Sequence, residues 1–166
     1  IIGKNTGAYL ANLEKEYSLI NRNKPMFSKP ESRNSRWCLN DNYLMFWFRF
    51  IFPNLSMIEL GKNGMLEKFI LKNYEQYSGY ILERYFRDRI AESEDITDIG
   101  NYWDNKGENE IDLIALNRFE GKALIAEVKR NPNKINIARL YEKVASIKKQ
   151  LSHYTLEIKG LSMPDM

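Results

Sequence analysis

With 166 residues and 43% hydrophobic content, the chain can close one core or a small module beside a domain. No stretch reaches the roughly 18–20 apolar residues that span a bilayer, and the single cysteine, Cys38, permits no internal disulfide, which suits a reducing cytoplasm. The net charge is only +3, yet residues 1–36 hold seven Lys/Arg against three acids, so the surplus positive charge is N-terminal and suits a phosphate-bearing partner such as DNA.

The sequence begins at Ile1, which suggests a piece of a longer protein. Gly3-Lys4-Asn5-Thr6-Gly7 lacks the Walker spacing, so no ATP site of that kind is expected in this fragment. Thr6 to Tyr17 carries apolar residues at helical spacing and reads as a short amphipathic helix. Ser18 to Arg22 and Ser35 to Leu39 read as two strands. Helix followed by a basic ribbon is the second half of a winged helix, and Lys24, Lys29, Arg33 and Arg36 are suited to phosphate contacts. A wing that only packs against its neighbours is the alternative.

Asp41 to Phe52 predicts a strongly apolar, aromatic core helix capped by Asp41 or Asn40 and closed by Pro53. The division between two modules, 1–61 and 62–166, is expected near Gly61–Gly64. Met65 to Ser93 predicts a long helix, broken near Ser78-Gly79, with Leu82, Tyr85 and Phe86 in a buried stripe and Glu83 at its edge. An ion pair of Glu83 with Arg87, one turn on, is the plain alternative for that carboxylate. Asp95 to Trp103 then reads as a strand.

Glu110 to Leu116 and Ala123 to Lys129 are β-rich runs joined by a polar turn in which Gly121 can supply a positive φ. A reversal near Phe119 and Glu120 makes paired residue numbers sum to about 239. Asp112 then faces Glu127, and Glu110 faces Lys129. Directly opposed carboxylates repel unless a cation lies between them, and oxygen donors from Asp112, Glu127 and the Val128 carbonyl suit a divalent ion. Lys129 would orient or deprotonate a water there. A solvated hairpin bearing ordinary charges remains the alternative. After it, Lys134 to Leu151 predicts an amphipathic helix with Lys143, Lys148 and Lys149 outside, crossing to a last parallel strand from Thr155 to Leu161.

Asp112, followed by Glu127-Val128-Lys129, resembles the PD-(D/E)XK core of restriction-endonuclease-like nucleases, and Glu110-Ile111-Asp112 with Ile125 to Lys129 is similar to archaeal Holliday-junction resolvases. The proline of that signature is absent, Ile111 standing before Asp112. Taken with Gly79-Tyr80…Glu83 and Tyr102-Trp103-Asp104, the run also resembles the C-terminal domain that follows the ATPase module in a family of archaeal and bacterial AAA-type ATPases. The resemblance implies a mixed sheet flanked by helices, preceded by a partial winged-helix module. It further implies a Mg2+- or Mn2+-dependent DNA nuclease with Asp112, Glu127, Lys129 and Glu83 at its site, Glu110 and Arg130 in support, and an ATPase module in the same parent chain. A non-catalytic docking or DNA-holding tail, or a winged-helix DNA-binding regulator, are the alternatives.

Overall fold

The computed structural model describes residues 6–166, so Gly3, Lys4 and Asn5 lie outside the described residues. Helix α1 (Thr6–Lys15) ends short of Tyr17 because the chain reverses through Ser18, whose φ is +51°. Strands β1 (Ile20–Asn23) and β2 (Arg36–Leu39) form the expected antiparallel ribbon, with Ile20 opposite Leu39. Asp41 caps α2 (Asn42–Phe46) by accepting the Leu44 N–H at 2.7 Å.

The aromatic run departs from a regular α-helix. Trp47–Ile51 form a π-helical turn and Phe52–Asn54 a 3-10 turn before α3 (Leu55–Glu59). Pro53 has no N–H to offer, and its ring crowds the carbonyl four residues back, so the turn widens and then tightens. Phe50 is fully buried, its ring 5.1 Å from Phe46 and 6.3 Å from Phe69. Tyr43, Phe48 and Phe52 stay exposed. The expectation that the whole run is core is thereby corrected: one face of a helix meets the interior, and the other does not.

Helix α4 (Asn63–Ala91) runs unbroken through Ser78-Gly79. The Ser78 hydroxyl donates back to the Glu75 carbonyl and is satisfied within the helix. Residues up to Lys24 with Arg33–Tyr74 gather into one compact unit, and Pro25–Ser32 with Glu75–Met166 into a second. The last change of unit, from Tyr74 to Glu75, falls within α4.

The second unit is built on β3 (Asp98–Trp103), β4 (Glu110–Asn117), β5 (Lys122–Lys129) and β6 (Thr155–Ser162), hydrogen-bonded in that order. The first three alternate in direction and β6 runs parallel to β5 after the crossing helix α5 (Ile137–Ser146). Leu82 and Phe86 of α4 pack with Leu113, Ala115, Ala126 and Val128 on one face. Leu140, Val144 and Ile147 pack with Ile111, Ile114, Leu116 and Ile125 on the other. The unit is thus a mixed four-stranded sheet flanked by helices. Met26 donates its N–H to the Asn101 carbonyl at 2.9 Å and so covers the outer edge of β3.

Two local devices shape the sheet. Asn117 accepts the N–H groups of Phe119 and Glu120, and Gly121 takes φ +63°, giving the expected tight reversal. Between Gly100↔Ile114 and Tyr102↔Ile111 the register slips by one residue, so Asp112-Leu113 bulge out of β4. The extra residue turns Ile111 onto the face of Ile114 and Leu116.

Leu140 is fully buried whereas its neighbour Tyr141 is more than half exposed. In urea denaturation Leu140→Ala is expected to cost about 2–5 kcal/mol and Tyr141→Ala to stay within about 0.5 kcal/mol. Equal losses would mean that α5 presents another face to the sheet.

Candidate active site

The ladder between β4 and β5 runs from Asn117↔Lys122 to Leu113↔Ala126, the expected register, and stops there. Beyond that point β4 continues on β3 as far as Trp103↔Glu110, and β5 continues on β6 as far as Lys129↔Ser162. The two central strands part at Asp112. Glu110 accordingly lies beside Trp103 and not opposite Lys129, because the bulge and the parting end the pairing on which that expectation rests.

Parting leaves the Val128 N–H without a strand partner, and the Asp112 carboxylate takes its place, accepting it at 2.9 Å. The same oxygen of Asp112 accepts from Lys129 Nζ at 3.0 Å, and that ammonium stands 3.6 Å from Glu127 Oε1. Two acids therefore meet on one cation. Glu127 is buried, 6% exposed, and its other oxygen accepts the Asn136 N–H at 2.9 Å. Asn136 in turn caps α5 through its side chain. Gly160 lies opposite Glu127 on β6, and a Cβ there would sit 2.5 Å from Ile135 Cγ2. The missing side chain lets Ile135, and Asn136 after it, close over the acid.

Lys143 is the residue that the sequence reading misplaced. Expected outside, its side chain is 15% exposed, and its Nζ lies 3.9 Å from Glu127 Oε1. The signal was its place between Leu140 and Ile147, three and four residues away on the buried stripe. A lysine there has an apolar stem to bury and a charge that needs a partner.

Glu83 reaches the cluster from α4. Burial, and next the Asp112 carboxylate, push its pKa up to about 8, with Glu110 adding to this and Lys129 and Arg87 opposing it. The alternative pairing with Arg87 thus contributes only the smallest of these influences. For Lys129, burial alone would lower the pKa, but Asp112, Glu127 and Glu83 together outweigh it and raise the value. A lysine held protonated can orient a water or a phosphate but has no lone pair with which to deprotonate either. Arg130 acts on Glu75, which Lys134 also pairs, just past the end of β5. Lys24, Arg33 and Arg36 belong to the first unit and Lys29 to the second, so the basic loop is divided between the units.

Among the described residues no three His, Cys, Asp or Glu stand together as ready ligands for an ion. Mg2+ asks for less, since it usually keeps several waters and takes one or two carboxylates. Asp112 and Glu127 are hard oxygen donors of that kind, already gathered about the Lys129 ammonium, and with the Val128 carbonyl as the third expected donor they fit such an ion. Among the described residues no helix is long and apolar enough to cross a membrane.

Residues 47–139 match the DUF234 family model, described as archaeal and bacterial proteins of unknown function. The chain belongs to this family. The DUF234 match takes in Glu83, Asp112, Glu127, Lys129 and Asn136 and ends just before Lys143. The chain is also similar to the uncharacterized protein MJECL04 of Methanocaldococcus jannaschii, with 40% identity over 128 residues, which is 73% of this chain and 28% of that relative. No solved structure matches.

A carboxyl whose folded pKa is raised gives stability that is full below its ordinary 4.5 and is lost as pH rises through about 8. In EDTA, the melting temperature of this DUF234 chain relative to its Glu83→Gln variant is expected to fall across that window. A constant difference between the two would remove Glu83 from the cluster.

Proposed function

We propose that this chain is a Mg2+-dependent, DNA-cleaving domain of the restriction-endonuclease-like kind, carried in a longer protein beside an AAA-type ATPase module and working in the cytoplasm. The observation that carries the reading is the meeting of Asp112 and Glu127 on one cation where β4 and β5 part. Strands that separate at a bulge give side chains room that a continuous ladder would deny them. Because the match covers 28% of the M. jannaschii relative, that protein has sequence beyond it, where an ATPase module would lie.

In this reading Asp112, Glu127 and the Val128 carbonyl hold the divalent ion. When bound, the ion supplies Lewis acidity at the phosphate oxygens. Lys129, then released from the carboxylates, presents its ammonium to the phosphate and stabilises charge that grows as water adds to phosphorus and the bond to the sugar oxygen breaks. Lys143 and the Asn136 N–H keep Glu127 aimed, while Glu83 exchanges a proton near neutral pH. Arg130 and the N-terminal Lys24, Lys29, Arg33 and Arg36 would bear on the DNA backbone, contacts that position without reading sequence.

One observation favours a second reading, a docking tail without turnover. Asp112 and Glu127 are answered by Lys129 and Lys143, so the buried charges balance with no metal. The two readings divide on chemistry. Branched and linear DNA incubated with Mg2+ or Mn2+ should be cut by the wild-type chain, and Asp112→Ala and Lys129→Ala should each reduce the rate on the order of 100-fold or more. Cleavage unaltered in both variants would refute this site, and no cleavage by any form would leave the docking reading in its place.

A further inference from the structure

The sheet has two edges, and among the described residues only one of them is covered. Met26 blocks β3, but among the described residues no strand or loop pairs with the outer edge of β6. Its backbone direction follows from two hydrogen bonds. Thr155 donates its N–H inward, to the Gly121 carbonyl at 2.7 Å. By the period of two, the peptide groups of Leu156, Ile158 and Gly160 then point outward. At the far end the outward N–H of Ser162 is taken by Asp165 Oδ2 at 2.7 Å, so the open template ends at Gly160.

We propose that this edge joins two copies of the chain, β6 pairing antiparallel with the β6 of a second molecule about a two-fold axis at Ile158. Such a contact is self-complementary by symmetry. Ile158 meets its own copy, Leu156 meets the partner subunit's Gly160, and each pair exchanges outward N–H and C=O groups. The charges decide the register. Glu157 and Lys159 flank Ile158 and already pair within the chain at 3.1 Å, both substantially exposed. In this register each faces its opposite on the partner subunit, giving an alternating row of four charges. A shift of two residues along the partner sets Glu157 against Glu157 or Lys159 against Lys159, which like-charge repulsion disfavours.

The apolar side of the strand agrees. Leu156 is 39% exposed and Tyr141 56%. With Val144 and Ile158 they line a groove of about 400 Å³ beside the edge, and pairing would bring the second copy's apolar side chains next to it. Lysines on edge strands often act to prevent pairing. Here the glutamate two residues away converts that deterrent into a complement.

The proposal is independent of nuclease activity and is tested by sedimentation velocity of the 166-residue chain over a range of concentrations. The expected result is reversible conversion from 19.6 kDa to twice that mass. Glu157→Lys and Lys159→Glu should each weaken dimerisation roughly tenfold or more, since each turns two attractive pairs repulsive. The double exchange should restore it. Circular dichroism melts of the three variants confirm that these exposed changes leave the fold intact. A monomer at every concentration would overturn the proposal. So would a dimer that either single change leaves untouched, or that the double exchange fails to restore.

Discussion

The second unit depends on a substitution of one hydrogen-bond acceptor for another. Where β4 leaves β5, the Val128 N–H would be buried with no ladder carbonyl to accept it, a loss of the order of 1–3 kcal/mol. The Asp112 carboxylate supplies that acceptor. A backbone carbonyl would have served the N–H equally well, but the carboxylate brings a charge with it. That charge must be answered inside the protein, and Lys129 answers it at 3.0 Å. The site therefore grows out of the way the sheet ends.

From that contact the surrounding chemistry follows in order of distance. Glu127, on the neighbouring strand, is too deeply buried to be solvated, so it draws in an amide from the start of α5 and an ammonium from its second turn. Glu83, buried and close to the Asp112 carboxylate, keeps its proton to about pH 8. Burying paired charges seldom adds net stability compared with an apolar core. A chain that gathers three acids and two lysines at one end of a sheet buries more ionisable groups than the single acceptor that its Val128 N–H needs. That is the physical ground for reading the cluster as functional.

Much of this was legible in the residues. The turn at Asn117 to Lys122 set the hairpin register, because Gly121 and the Asn117 side chain permit few reversals, and the register brought Asp112 and Glu127 together. The order of strands and helices followed from apolar periodicity. Other features were hidden for identifiable reasons. A bulge adds one residue to one strand and leaves no trace in a pattern of alternation, so the place of Glu110 could not be read. Lys143 shares the buried stripe of Leu140 and Ile147, but nothing in that pattern names the carboxylate it meets. The cover supplied by Met26 comes from a loop distant in sequence, and Gly160 is conspicuous only once Ile135 is seen occupying the space of its absent side chain.

The central claim is that Asp112 and Glu127 form one seat for a cation, held by Lys129 until a metal displaces it. The most direct test is a titration of Mn2+ into the metal-free chain, followed by the paramagnetic signal of unbound Mn2+, for the wild type and for Asp112→Asn. One Mn2+ bound per chain, with binding lost in the variant, is the predicted result. Equal binding by both forms, or none by the wild type, would contradict it.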